Sequence, residues 1–357
     1  MRQRLISLDA FRGLTMAGMV IVNNPGTWDA IYWPLEHAEW NGCTPTDLIF
    51  PFFLFIAGVS MALSNDTLTA PWSRIVRRAA ILVGLGLFLA GFPFFNPAHW
   101  RIPGILQRIG FCYLAAAVIY RGVRTRRPAY MLSAVTAAIL IGYWVVMVRF
   151  GDLTPEGNIG AVIDRALMGG HLYRPRWDPE GLLSSVPAVA TTLIGVITGL
   201  WLRSGAPLGQ KVFGLARAGF ALFVVGELWN RWFPINKQLW TSSYVLFTAG
   251  AALIILAVCV LLIEIRGVRA WSEPFVILGR NAITLFFLSG LIGKSLILIK
   301  VPQPGGPSVS LQWVIYERGV SWMATPKNAS LIYSLAFLAL MYAICDLMYR
   351  RRVFLRA

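Results

Sequence analysis

Glu36-His37-Ala38-Glu39-Trp40-Asn41-Gly42-Cys43-Thr44-Pro45-Thr46-Asp47 runs without a break into Leu48-Ile49-Phe50-Pro51-Phe52-Phe53-Leu54-Phe55-Ile56. The second half is apolar and opens a segment long enough to cross a bilayer. The first half gathers His, Glu, Asn and Asp at its mouth. Ionisable groups at a membrane edge are costly to place and mark functional sites. His37 is one of three histidines in the chain.

The same apolar pattern recurs along all 357 residues, of which 57% are hydrophobic and 13% charged. Soluble domains carry about 25% charged residues, and the mean hydropathy here is +0.64. The chain therefore reads as an all-α polytopic membrane protein of about ten transmembrane helices, each needing roughly 20 apolar residues. Their expected limits are 6–24, 45–65, 73–92, 103–120, 129–149, 182–203, 211–230, 239–264, 274–298 and 329–349. No repeat, low-complexity tract or soluble domain stands out, so residues 1–357 read as a single transmembrane domain. The start, Met1-Arg2-Gln3-Arg4, is basic, but no A-x-A-like cleavage site follows it.

A net charge of +16 raises the question of nucleic acid. The basic residues instead fall in alternate loops. One set of span ends holds Arg2 and Arg4; Arg74, Arg77 and Arg78; Arg121, Arg124, Arg126 and Arg127; Arg203, Lys211 and Arg217; Arg266 and Arg269; and Arg350, Arg351, Arg352 and Arg356. The opposite ends hold Asp29, Glu36, Glu39, Asp152, Glu156, Asp164, Asp178 and Glu180. By the positive-inside rule both termini are expected in the cytoplasm and the 24–44 loop outside it. Membrane lipid, not nucleic acid, is the expected partner. Two outward connections, near 150–181 and 299–328, are long, and such loops are often functional. Cys43, Cys112, Cys259 and Cys345 are far apart, with no CxxC and no metal-ligand spacing, so no metal is expected.

Several polar residues carry two readings. Asp9 and Arg12 share one face of the first span, as a local ion pair or as a clamp for a phosphate-bearing cofactor. Asn23 and Asn24, before Pro25-Gly26, stop a helix or aim an amide at an oxyanion. His37 is a histidine satisfied by a carboxylate or a general base. Glu36 and Glu39 are ordinary surface carboxylates or part of the site. Asp47 fits a Thr-x-x-Asp capping pair with Thr44, or orients His37. Gln107 and Arg108 lie inside the fourth span, where Arg108 must face protein or water. Arg280 and Asn281 lie near one end of the ninth span, and Lys294 further along it. Asn236-Lys237 border the eighth. Trp and Tyr at span ends are more often interface anchors than sugar platforms.

Taken in order, these segments resemble the heparan-alpha-glucosaminide N-acetyltransferase family, a lysosomal membrane enzyme with bacterial relatives. The resemblance rests on Ser7-Leu8-Asp9-Ala10-Phe11-Arg12-Gly13, Met19-Val20-Ile21-Val22-Asn23, His37 through Gly42, and Asp47 through Pro51. It continues at Arg101-Ile102-Pro103-Gly104-Ile105-Leu106-Gln107-Arg108, Asp178-Pro179-Glu180-Gly181 and Ile235-Asn236-Lys237-Gln238-Leu239-Trp240. It implies acetyl transfer from cytosolic acetyl-CoA to the amino group of a glucosamine-type sugar outside the cytosol. The family's histidine falls on His37 and its asparagine on Asn23. Asp47 or a neighbouring Glu is expected to set the imidazole tautomer. Asp9, Arg12, Arg78, Arg280 and Asn281 are the expected acetyl-CoA contacts. Glu36, Trp40, Asn41, Arg108, Asp178, Glu180, Asn236 and Lys237 are the expected acceptor contacts. The chain looks like a compact bacterial form that begins at the first catalytic span, placed in the inner membrane. Lysosomal relatives suggest a homodimer. An amino-sugar transporter is the rival reading, suited to intramembrane Arg108 and Lys294.

Overall fold

The structure, a computed structural model, describes residues 5–64, 66–123, 127–303 and 306–354. Arg2, Arg4, Arg124, Arg126 and Arg356 lie outside the described residues. The chain is nearly all helical. In order it forms α1 (Ile6–Asn23), α2 (Ile49–Leu63), α3 (Asp66–Thr69), α4 (Trp72–Gly91), α5 (Ile105–Gly122), α6 (Pro128–Phe150) and α7 (Ile159–Met168). It continues with α8 (Ser185–Arg203), α9 (Leu208–Trp229), α10 (Ser242–Cys259), α11 (Glu273–Arg280) and α12 (Ala282–Leu298). A hairpin of β1 (Lys300–Gln303) and β2 (Gly306–Ser310) then leads to α13 (Leu311–Gly319) and α14 (Pro326–Arg350). Proline begins α6 and α14, where its missing N–H costs nothing.

Every expected span lies on a helix, but the helices differ in kind. Among the described residues six are long and apolar enough to cross a membrane: Pro45–Leu63, Pro128–Phe150, Ser185–Arg203, Leu208–Trp229, Ser242–Ile265 and Pro326–Arg350. Helices α1, α4 and α5 carry charges along their length and fall outside that group. The expected continuous span over 274–298 is instead broken. Ala270–Arg280 and Ala282–Leu298 meet at 73°, so the pair supplies at most a seventh crossing. The break falls at Asn281, whose φ of −118° and ψ of 34° leave helical geometry. The two long connections also have structure of their own. Helix α7 occupies one, with Asn158 Oδ1 capping the Ala161 N–H. The other holds the β1–β2 hairpin, antiparallel with Lys300 opposite Ser310, which the all-α expectation did not include.

The chain divides into two compact units. The first comprises described residues within 1–38, 44–49 and 267–356. Here α1 packs on α11, α12 and α14. Helices α1 and α11 approach so closely that a Cβ on Gly13 would sit 1.7 Å from the Phe275 carbonyl oxygen, and one on Gly279 2.1 Å from that of Asp9. Small residues at such crossings let backbones touch where lipid supplies no hydrophobic drive between helices.

The second unit comprises 39–43 and 50–266. Its centre is α8, buried over 78% of its span and packed against α5, α6 and α10. At the outer edge α9 buries only 17% of its span, leaving an apolar face suited to lipid. Gly195 on α8 permits a similar close crossing: a Cβ there would lie 2.1 Å from the Phe55 carbonyl oxygen of α2.

These crossings predict that Gly279→Ala and Gly195→Ala each cost about 2 kcal/mol by overpacking. Thermal melting of the detergent-solubilised protein reads this as a lower transition. Gly142→Ala, with nothing within 4 Å of its added Cβ, is expected to melt at or above the parent, because alanine favours helix.

Candidate active site

In the first unit the polar mouth is organised by one carboxylate. Asp47 is 1% exposed. Its Oδ1 lies 2.7 Å from His37 Nδ1. Its Oδ2 accepts from the backbone N–H of Ala38 at 3.1 Å and of Thr44 at 3.0 Å. The Thr44 hydroxyl lies between this oxygen at 3.1 Å and the Glu36 carbonyl at 2.6 Å. Thr44 and Asp47 form the capping box that starts the Pro45–Leu48 turn leading into α2. The two readings of Asp47 therefore hold together, because its two oxygens do different work. An ionised Asp47 only accepts, so the proton on His37 is assigned to Nδ1 and the basic lone pair to Nε2. The His37 side chain is 45% exposed, so its ring can meet a substrate. Glu36, whose carbonyl takes part, is itself exposed.

Asn23 ends α1 with its side chain exposed. Its neighbour Asn24 turns inward, donating to the Val20 carbonyl at 2.9 Å. The tandem thus splits into one structural amide and one presented amide.

Elsewhere in this unit Arg12 Nη1 meets Asp9 Oδ1 at 3.0 Å on one face of α1. Arg280 lies over the rings of Tyr349 at 5.1 Å and Phe354 at 4.8 Å. Asn281 is 1% exposed, and its amide donates to the Val353 carbonyl at 3.4 Å. Its Oδ1 is buried with no hydrogen-bond partner among the described residues. A leftover buried acceptor suits an N–H donor from a ligand, such as an amide of a pantetheine arm. Arg12 and Arg280 suit phosphate. These residues thus fit acetyl-CoA chemically.

In the second unit three of the expected acceptor contacts, Arg108, Asp178 and Glu180, belong to a network around the 178–185 segment. Arg101 Nε and Nη2 bind the Asp178 carboxylate at 2.9 and 2.6 Å, and Nη2 also binds Glu180. Asp178 further accepts from the N–H groups of Tyr173 and Glu180 at 2.7 and 2.9 Å. Buried Arg108 reaches the carbonyls of Pro179 and Gly181 at 3.0 and 3.2 Å and the Ser185 hydroxyl at 3.2 Å. The faces of Trp240 and Phe50 flank its guanidinium at 5.0 and 5.9 Å, and its Nη1 is buried without a hydrogen-bond partner among the described residues. So Arg108, Asp178 and Glu180 come together, chiefly by gripping one loop.

Asn236, fully buried, donates to Asn41 Oδ1 at 3.1 Å, while Gly42 N–H donates to the Ile235 carbonyl at 2.7 Å. The Asn41–Gly42 and Ile235–Asn236 segments are thereby tied, with Lys237 half-buried beside them. Trp40 donates Nε1 to the Leu153 carbonyl at 2.8 Å and meets Trp177 edge-on at 5.7 Å. Arg78 is exposed and lies over Tyr113 at 4.8 Å.

Sequence reasoning did not single out Arg101, Asp164, Trp177 or Gln238 as site residues. Arg101 stands at the head of the Arg-Ile-Pro-Gly motif, and its lack of a nearby acidic residue in sequence was the available signal. Asp164 gave none, since one acid on a short loop helix reads as solvated.

Residues 4–220 match a family described as heparan-alpha-glucosaminide N-acetyltransferase, catalytic. The heparan-alpha-glucosaminide N-acetyltransferase of Homo sapiens is 28% identical over 79% of this chain and 52% of its own. That of Mus musculus is 28% identical over 79% and 53%. The chain spans about half the length of the relatives it matches. His37, Asp47, Asn23 and Arg108 all lie inside the matched region, and on that match the chain belongs to the heparan-alpha-glucosaminide N-acetyltransferase family.

Proposed function

We propose that this protein is an acetyl-CoA-dependent N-acetyltransferase acting across a bacterial inner membrane on the amino group of a glucosamine-type sugar. The observation that carries the reading is the His37–Asp47 pair at 2.7 Å, in a half-exposed mouth inside the matched family region. A histidine whose Nδ1 is held by a carboxylate presents a basic Nε2. That nitrogen removes a proton from the neutral acceptor amine as it attacks the thioester carbonyl, and as the C–S bond breaks the imidazolium returns the proton to the departing CoA thiolate. Asn23, exposed at the end of α1, donates to the developing oxyanion. In the variant mechanism Nε2 takes the acetyl group first and passes it on, which gives ping-pong kinetics.

Sidedness follows from the loop charges. Arginines gather at alternate loops, so both termini and the acetyl-CoA entrance belong to the cytoplasm and His37 to the periplasmic side. In this arrangement α1, α4, α5 and the α11–α12 pair join the six apolar helices to give about ten crossings in one domain over 1–357. Asp9, Arg12, Arg78, Arg280 and Asn281 hold acetyl-CoA. The protein is a homodimer by analogy with its lysosomal relatives.

His37→Ala is expected to abolish acetyl transfer while the melting temperature stays near the parent's. Near-normal turnover by the purified variant would remove His37 from the chemistry. Asp47→Asn frees the ring to adopt the other tautomer and is expected to lower kcat by about 10²-fold or more, with a smaller effect on KM. Arg12→Ala should weaken acetyl-CoA binding in calorimetry and leave acceptor KM unchanged. Inverted vesicles given radiolabelled acetyl-CoA outside and glucosamine inside should accumulate labelled N-acetyl sugar. Glucosamine moved unmodified would instead identify a carrier.

A further inference from the structure

Asn23, the proposed oxyanion donor, is the last residue of α1, and its side chain is exposed. Among the described residues nothing bonds its amide, so its aim is set by the backbone on which it stands. On one side that backbone is helical. On the other it leaves the helix at Asn24, with φ of −133° and ψ of 59°, and runs through Pro25, Gly26 and Thr27 outside any helix or strand. A helix end frays unless partners take its last polar groups.

Those partners come from the far end of the chain, within the same unit. Ser330 and Ser334 lie one turn apart on α14, and both are buried. The Ser330 hydroxyl accepts the Thr27 N–H at 3.2 Å and donates to the Thr27 carbonyl at 3.1 Å. The Ser330 carbonyl accepts the Gly26 N–H at 3.4 Å. The Ser334 hydroxyl lies 3.1 Å from the Asn24 carbonyl and 3.1 Å from the Ser330 carbonyl. From α13, Gln312 donates Nε2 to the Pro25 carbonyl at 2.9 Å. Each residue from Asn24 to Thr27 is thus bonded to α13 or α14. Position 26 must be glycine, since a Cβ there would come within 2.5 Å of the Tyr316 ring and 3.0 Å of Tyr333 Cβ. Gly293 of α12 leaves room for the Asn24 side chain: a Cβ there would lie 2.5 Å from its Oδ1.

We propose that Ser330, Ser334 and Gln312 are positioning residues for the acetyl transfer, fixing the turn after α1 so that Asn23 holds its amide where the oxyanion forms. This rests on Asn23 as the oxyanion donor of the proposed function. Such a donor helps only if it is in place before the charge develops, and a misplacement of about 1 Å can cost about 10²-fold in rate. The three side chains act through the backbone of 24–27 and need not meet either substrate. Their helices lie beyond the matched residues 4–220, so the inference gives the C-terminal part of the chain a task in the chemistry.

A purely structural role would act whether or not Asn23 is present, and a positioning role would not. The test is therefore a double-mutant cycle on the purified full-length protein, read as steady-state kcat and KM with acetyl-CoA and glucosamine. Ser330→Ala is expected to lower kcat about tenfold or more, with KM for acetyl-CoA unchanged. Asn23→Ala is expected to lower kcat about 10²-fold or more. The double variant should turn over no more slowly than Asn23→Ala alone, because no donor remains to be aimed. Losses that multiply in the double variant would overturn the proposal. So would parent-like kcat in Ser330→Ala beside a loss in Asn23→Ala. Full kcat in Asn23→Ala would instead remove Asn23 from the chemistry, taking this inference with it and leaving His37 as the base. Ser334→Ala and Gln312→Ala enter the same cycle, so the outcome does not depend on the folding of Ser330→Ala.

Discussion

A polar group kept away from water must find its partners inside the protein, and the organisation of this molecule follows from that constraint. Asp47 shows it most directly. One buried carboxylate receives a backbone N–H from either side of its loop, caps the turn into α2, and still holds His37 through its other oxygen. The mouth cannot rearrange without stranding a buried charge, so the imidazole is held in one orientation. The chemistry proposed for His37 is thus a by-product of satisfying Asp47.

The second unit meets the same constraint with arginine. Arg101 and Arg108 grip the 178–185 segment from two sides, one through carboxylates and the other through carbonyls and hydroxyls. Planar guanidinium groups suit this work because each offers several donors in a fixed fork. The result is a loop held on both sides where it leads into α8. Against it lies buried Asp164, whose Oδ1 accepts the Leu182 N–H at 2.9 Å.

Much of this was legible in the sequence. Apolar runs located the helices, and the Thr44-x-x-Asp47 spacing announced the capping box, since both depend on residues near each other in the chain. The pairing of Asp9 with Arg12 was legible for the same reason, three residues being one helical turn. The 274–298 segment misled because its composition is continuous, whereas the 73° break at Asn281 depends on how α11 seats on α1 through Gly13 and Gly279. The β1–β2 hairpin was hidden by its proline and glycine content, which reads as loop.

The sequence by itself determined the class of molecule, the helical segments, the family and the identity of the histidine at the mouth. These rest on local pattern and on motifs in fixed order. Only the tertiary structure decided which carboxylates are used up. Asp178, an expected acceptor contact, is bound by an arginine 77 residues away, and Asp164, one acid among several in the outward loops by sequence, is buried. The reason is physical. Whether a charge is satisfied depends on atoms within about 4 Å, and in a helical membrane protein those atoms come from distant parts of the chain.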